Sequence, residues 1–132
     1  MENKFQSFIT GLQHIGLPTN DIEATISFYE TLGFQVAYRT INEKAGEQVA
    51  LLRLGDVTIE TYENKQAALL NGAWDHIALN VTDIETVFRL AREKGLDIVD
   101  SEIQFLPFWE KGVKYFIVTG PNKEKVEFNQ YL

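Results

Sequence analysis

The chain has no cysteine. That removes disulfide frameworks, thiolate metal sites and cysteine nucleophiles together. It has only two histidines, so any imidazole chemistry must run through those two positions. It has no apolar run near the roughly 20 residues of a membrane-spanning helix. The start, Met1-Glu2-Asn3-Lys4, lacks the charged-then-apolar layout of a secretory leader. These absences predict a cytoplasmic protein with no membrane partner. Basic residues are scarce: 12 Lys and Arg stand against 19 Asp and Glu, for a net charge of −7. No Lys/Arg cluster offers a footprint for a phosphate backbone, which excludes nucleic acid as a partner. What is present is apolar material, 45% of 132 residues, enough for the core of one domain of common size.

The chain repeats itself, and the repeat organises everything else. Residues 14–23 read His-Ile-Gly-Leu-Pro-Thr-Asn-Asp-Ile-Glu, and residues 76–85 read His-Ile-Ala-Leu-Asn-Val-Thr-Asp-Ile-Glu. Six of ten positions are identical at an offset of 62, Gly16/Ala78 exchanges small for small, and the same offset carries Gly33 onto Gly95. After each histidine-bearing strand the spacing predicts a helix. Asn20 with Glu23, and Thr82 with Glu85, have capping-box spacing. Helical apolar positions follow at Ile22, Ile26, Tyr29 and Leu32, and at Ile84, Val87, Phe88 and Ala91. Gly33 and Gly95 are placed to end the two helices. Strands are predicted over Gln35–Ile41, Val49–Leu54 and Val57–Tyr62, with counterparts over Asp97–Ile103, Val113–Thr119 and Lys125–Gln130. Each half thus reads β-α-β-β-β. The expected class is α+β, a single domain over 1–132 built from module 1 (about 8–62) and module 2 (about 74–132). The stretch Glu63–Ala73 connects them, since a module of roughly 60 residues buries too little surface to be secure alone.

Both histidines occupy the same repeat position. Strand alternation puts Ile15 and Leu17 on one face with Leu12, His14 and Gly16 opposite, and Ile77, Leu79 and Val81 on one face with Trp74, His76 and Ala78 opposite. In the last strand of each half, Val57 and Ile59, and Val126 and Phe128, belong on the helix-covered side. Glu60 and Glu127 then point the other way. A glutamate between apolar strand neighbours is costly unless paired or bound to a cation. One lone strand histidine is ordinarily a hydrogen-bonded core residue, but four such positions from two halves make a ligand set: His14, Glu60, His76 and Glu127. Imidazole nitrogen with carboxylate oxygen suits nickel, zinc, cobalt, manganese or iron(II). Coordination positions left open would make the site catalytic. Trp74, Phe105, Phe108 and Trp109 are candidate walls of a substrate pocket, or else packing around a surface loop.

With these residues in view the chain resembles the vicinal oxygen chelate superfamily, which includes glyoxalase I, methylmalonyl-CoA epimerase, extradiol dioxygenases, fosfomycin-resistance enzymes and bleomycin-resistance proteins. The resemblance rests on Gln13–Leu17, Phe28–Phe34, Ile59–Glu60, Asp75–Leu79 and Gly120–Phe128, nearly the whole chain. It implies paired βαβββ modules forming an incomplete barrel around a metal, with the ligand positions of glyoxalase I falling on His14, Glu60, His76 and Glu127. It nominates Glu127 as the base, with Glu60 as ligand and second base. Glyoxalase I also has an arginine four residues after the first ligand, where this chain has Pro18. It has an asparagine four residues after the second, which here is Asn64. Proline carries neither charge nor donor, so the glutathione site is half matched and a thiol cofactor is left open.

The chemistry so implied is that of a lyase or isomerase resembling lactoylglutathione lyase. Its metal would polarise a carbonyl while a carboxylate removes the neighbouring proton. An epimerase would use the same step. Fosfomycin-type thiol transfer and extradiol dioxygenation need two histidines and one carboxylate, and the fourth residue, Glu60, counts against both. A drug-binding module of the bleomycin-resistance type needs no such ligand set. The expected partners are a small-molecule substrate and a second copy of the chain, because an incomplete barrel leaves strand edges to cover.

Overall fold

A computed structural model describes residues 4–132. Met1, Glu2 and Asn3, on which part of the argument against a secretory leader rests, lie outside the described residues. The chain divides into two compact units, Met1–Lys65 and Gln66–Leu132. No described helix is long and apolar enough to cross a membrane.

The first unit runs α1 (Lys4–Phe8), β1 (Ile15–Thr19), α2 (Ile22–Thr31), β2 (Gln35–Asn42), β3 (Glu47–Leu54) and β4 (Val57–Glu63). The short α1 has no counterpart in the predicted pattern. Its sheet has the order β1-β4-β3-β2, with β1 parallel to β4 and the other pairs antiparallel. Pro18 sits in β1 at the edge of that sheet, where a residue without an N–H is tolerated. The second unit runs β5 (His76–Asn80), α3 (Ile84–Glu93), β6 (Asp97–Ile98), β7 (Gln104–Leu106), β8 (Val113–Thr119) and β9 (Lys125–Tyr131). Its sheet has the order β5-β9-β8-β6, with β7 also paired to β8. The fold is therefore α+β, two tandem modules: the first is βαβββ, and the second keeps that pattern with its second strand split into β6 and β7, both paired to β8.

Each helix buries three of the four positions its periodicity predicts; Leu32, the C-cap of α2, and Val87 are only half-buried. Ile22, Ile26 and Tyr29 of α2 join Leu52 and Ile59 in the first core, and Ile84, Phe88 and Ala91 of α3 join Phe116, Val126 and Phe128 in the second. Both helices end as predicted, in a Schellman motif. Gly33 at φ +104 and Gly95 at φ +69 let the N–H groups of Phe34 and Leu96 turn back to the carbonyls of Tyr29 and Ala91, each at 3.0 Å.

The helix starts differ from expectation by one residue. The N-caps are Asp21 and Asp83, not Asn20 and Thr82; their carboxylates accept from the N–H of Ala24 and Thr86. The capping-box glutamates are engaged elsewhere, Glu23 with Arg39 and Glu85 with Lys114. The first-turn donors of Ile22 and Ile84 go instead to Glu63 and Gln130 in the last strands, both at 2.8 Å. The Thr86 hydroxyl and N–H together hold the Asp83 carboxyl below its ordinary value.

The strand predicted over Asp97–Ile103 is also corrected. It stops at Ile98, because the Asp100 carboxylate accepts the Ile117 N–H at 2.9 Å, taking a donor that a continuing strand would need. Pairing on β8 resumes at Gln104–Leu106, inside the stretch expected to be a loop.

Candidate functional site

In the first unit, His14 stands immediately before β1 and Glu60 lies on β4. The register pairs Gly16 with Glu60, so the histidine two residues before Gly16, at the entrance to β1, lies on the glutamate's side of the sheet. Ile59 and Thr61, the neighbours of Glu60, are buried on the helix side at 1% and 0% exposure. The His14 Nε2 stands 3.8 Å from Glu60 Oε2. The second unit repeats this. The register pairs Ala78 with Glu127, Val126 and Phe128 are buried, and His76 Nε2 stands 3.6 Å from Glu127 Oε1. The small-for-small exchange Gly16/Ala78 now has a reason. Each residue lies directly across from a glutamate, about 4.8 Å away in the hydrogen-bonding direction, where a long side chain would crowd the carboxylate.

The ring orientations are set by residues the repeat search did not single out. His14 Nδ1 bonds to Gln13 Oε1 at 2.9 Å, and His76 Nδ1 to Asp75 Oδ2 at 2.8 Å. An ionised carboxylate only accepts, so Nδ1 of His76 must carry the proton. In a neutral ring the lone pair then lies on Nε2, on the side facing Glu127. The bond to His76, reinforced by nearby Lys125, holds the Asp75 carboxyl below its ordinary value. Asn71 Nδ2 donates to the other Asp75 oxygen at 2.9 Å. Asn129 Nδ2 donates to Glu127 Oε2, also at 2.9 Å. The available signal for these supports was position: a polar acceptor directly before each histidine, and an amide two residues beyond the second glutamate on the same strand face.

A ring nitrogen and a carboxylate oxygen 3.6–3.8 Å apart are beyond hydrogen-bond length. Two donors each about 2.1 Å from one cation stand about 3.0–3.4 Å apart, close to the observed spacing. Neutral imidazole plus carboxylate is the donor chemistry of a divalent transition metal, and each unit offers one such pair. Among the described residues there is no group of three or more His, Asp or Glu side chains arranged to hold a metal.

The predicted substrate-binding residues are more scattered. Asn64 directly follows β4 and is half-buried. Trp74 lies outside β5 and is 93% exposed, so it packs on little. Phe108 and Trp109 are exposed too, with Trp109 edge-on to Tyr131 at 5.9 Å. Phe105 lies in β7, its ring over Gly112, where a Cβ would come within 2.5 Å of it. Gly112 is at φ +92 as well, so only glycine suits that turn. A half-open cavity of about 430 Å³ in the first unit lies between residues 33–37 and 53–55. None of the predicted site residues lines it.

Residues 11–128 match the Glyoxalase/Bleomycin resistance protein/Dioxygenase superfamily. The chain belongs to this superfamily. The chain is similar to "Uncharacterized protein YwbC" of Bacillus subtilis (strain 168), 32% identical over 124 residues, covering 90% of this chain and 96% of that protein. Two solved structures of the superfamily show the same fold. A glyoxalase family protein from Enterococcus faecalis aligns at TM-score 0.78 with 22% identity, over 92% of this chain and 98% of the other. The fosfomycin resistance protein FosX from Listeria monocytogenes, complexed with Mn(II) and sulfate, aligns at TM-score 0.73 with 14% identity, over 95% of each chain.

Proposed function

We propose that this superfamily member is a divalent-metal-dependent lyase or isomerase of the glyoxalase type, which removes a proton from a carbon beside a carbonyl. One observation carries the proposal: in each unit the residue before the histidine turns the ring so that Nε2 faces a glutamate, at 3.8 and 3.6 Å. His14, Glu60, His76 and Glu127 together would hold nickel, zinc, cobalt, manganese or iron; manganese is the ion in the Listeria FosX complex. Bound there, the cation supplies polarisation of a substrate carbonyl. The chain supplies the rest. Gln13 and Asp75 fix the imidazole tautomers. A carboxylate, Glu60 or Glu127, takes the proton. Asn64, Trp74, Phe108 and Trp109 contact the substrate. Pro18 offers no charge for a glutathione carboxylate, so other thiols are tried as partners alongside glutathione.

Two histidines with one carboxylate suffice for thiol transfer or extradiol dioxygenation. A second glutamate in the same setting as the first favours the lyase or isomerase, and an epimerase shares its first step. The test is elemental analysis after purification in metal-supplemented buffer, followed by solvent-deuterium exchange into thiol adducts of 2-oxoaldehydes. The expected result is about one divalent metal per chain and metal-dependent exchange. Absence of stoichiometric metal overturns the enzyme reading and puts a drug-binding module in its place.

We propose further that both units act as one cytoplasmic domain and that two copies associate. The support for association is the edge strand β2, exposed along all eight residues and presenting Val36, Tyr38 and Ile41 to solvent. Light scattering at high micromolar concentration is expected to give twice the mass of 15.1 kDa. A monomer mass refutes association.

A further inference from the structure

The half-open cavity of about 430 Å³ in the first unit lies where the start of β2 meets the end of β3. Its volume falls in the range of small-molecule sites, about 300–1,000 Å³. A bulge in β2 shapes it. Val36 pairs with Leu52 and Tyr38 with Leu51, so Ala37 has no partner on β3. An extra residue of this kind bends its strand locally, and Ala37 lies in the cavity wall.

That wall is apolar at Val36, Ala37 and Leu54 and carries one charge, the guanidinium of Arg53. In this acid-rich chain, Arg39 holds Glu23, Arg89 holds Glu93 and Lys114 holds Glu85. Arg53 pairs with no carboxylate among the described residues, although Asp56 stands in the adjacent turn. Its Nε–H donates to Thr58 Oγ1 at 3.3 Å, directly opposite on β4. That bond fixes the side chain and leaves both Nη groups for an acceptor. Gln35, the cross-strand partner of Arg53 on the other side, adds a neutral amide to the same wall.

We propose that this cavity binds a small aliphatic monocarboxylate, its carboxylate held by the two Nη groups of Arg53 and its hydrocarbon part lying against Val36, Ala37 and Leu54. The planar guanidinium presents parallel N–H groups that match a carboxylate. One guanidinium balances one negative charge. No second cation lines the cavity, so a phosphate dianion would be half neutralised, and a cationic ligand would be repelled. Neither His14 nor Glu60 lines it, so the site needs no metal and stands or falls independently of the reading above.

The test is titration of the isotope-labelled full chain with hexanoate, followed by backbone amide NMR at constant ionic strength, without added metal. The full chain is used in its solution assembly, because Val36 also belongs to the edge proposed to pair. Hexan-1-ol, hexylammonium and chloride are the comparison probes. Hexanoate is expected to bind with roughly millimolar affinity and to shift the amides of residues 33–37 and 53–55 saturably, while the three comparison probes do not. Arg53→Met is expected to weaken binding by roughly 10- to 100-fold, the loss of a hydrogen bond to a charged group. Arg53→Lys keeps the charge but loses the two-pronged geometry, and should fall between the two. Thr58→Val removes the bond that positions the guanidinium and should cost less than Arg53→Met. Circular dichroism confirms that each variant is folded, and the two Arg53 variants guard against one that is not. Equal shifts from hexan-1-ol or chloride, wild-type binding in the folded Arg53 variants, or no saturable shift at these amides overturns the proposal. Hexanoate shifts centred on residues 14–16 and 58–62 overturn it too, since they place the carboxylate at the His14–Glu60 pair.

Discussion

Replacing His76 with alanine is expected to weaken metal binding by more than the roughly 10- to 100-fold that loss of an outer-shell partner costs, with the fold intact. Its Nε2 faces Glu127 at 3.6 Å, and its ring is aimed by Asp75. Removing the ring takes away one donor and also the purpose of its support, since Asp75, Asn71 and Lys125 then hold nothing in place. The side chain is 38% exposed, so truncation deletes little buried surface and the melting temperature should hardly move. Asp75→Asn is the graded companion. It keeps the shape but removes the charge behind the imidazole, and should fall within the 10- to 100-fold range. His14→Ala should cost less than His76→Ala, because only the neutral Gln13 backs His14. Metal affinity by calorimetry and melting by circular dichroism, on the same preparations, separate a ligand from a structural residue. Unchanged affinity in folded His76→Ala removes the histidine from the site.

Much of this arrangement was legible because the repeat fixes it twice. Buried Ile59 and Val126 required Glu60 and Glu127 on the other face, and simple alternation sufficed to see that. Helix ends were legible too, since Gly33 and Gly95 act through local backbone geometry. What escaped was nonlocal. The donors of Ile22 and Ile84 are satisfied by Glu63 and Gln130, 41 and 46 residues away, so no window around the helix start contains the acceptor. With those donors met from the sheet, Asp21 and Asp83 could cap, and the capping-box glutamates were free for Arg39 and Lys114. Asp100 broke a strand by offering a side-chain oxygen where the pattern promised a carbonyl. Trp74 was misplaced for a simpler reason. Alternation was extended two residues upstream of His76, but β5 starts at the histidine.

Phe116→Ala is expected to destabilise the protein by about 3–5 kcal/mol, the range for a fully buried aromatic truncated to alanine. Phe116 is 0% exposed. It stands edge-on to Phe88 of α3 at 5.0 Å and tilted against Phe128 of β9 at 5.1 Å, so it joins the helix to the strand that carries the site. Aromatic pairs of this kind add about 0.5–1.5 kcal/mol beyond area burial, and truncation loses both pairs and leaves a void. Against a total stability of about 5–15 kcal/mol, such a loss brings the chain near the unfolding threshold. The effect should also reach the site. Phe128 lies between Glu127 and Asn129 on β9, and its ring is what keeps that stretch of strand seated on the core. Loosened, the strand no longer holds the Asn129–Glu127 bond at its length, so metal affinity should fall even in the fraction that remains folded. Phe88→Leu is the control: it keeps an apolar side chain at that position, loses the ring contact to Phe116 and the Arg92 guanidinium stacked on it, and leaves the Phe116–Phe128 pair beneath β9. Urea unfolding of both variants gives the stability change, and Co²⁺ titration below the transition gives the coupling. A Phe116→Ala protein with wild-type unfolding midpoint would show that the three rings do not carry this core. One that is destabilised yet binds Co²⁺ as wild type would show that the Asn129–Glu127 geometry is set by the strand pairing alone.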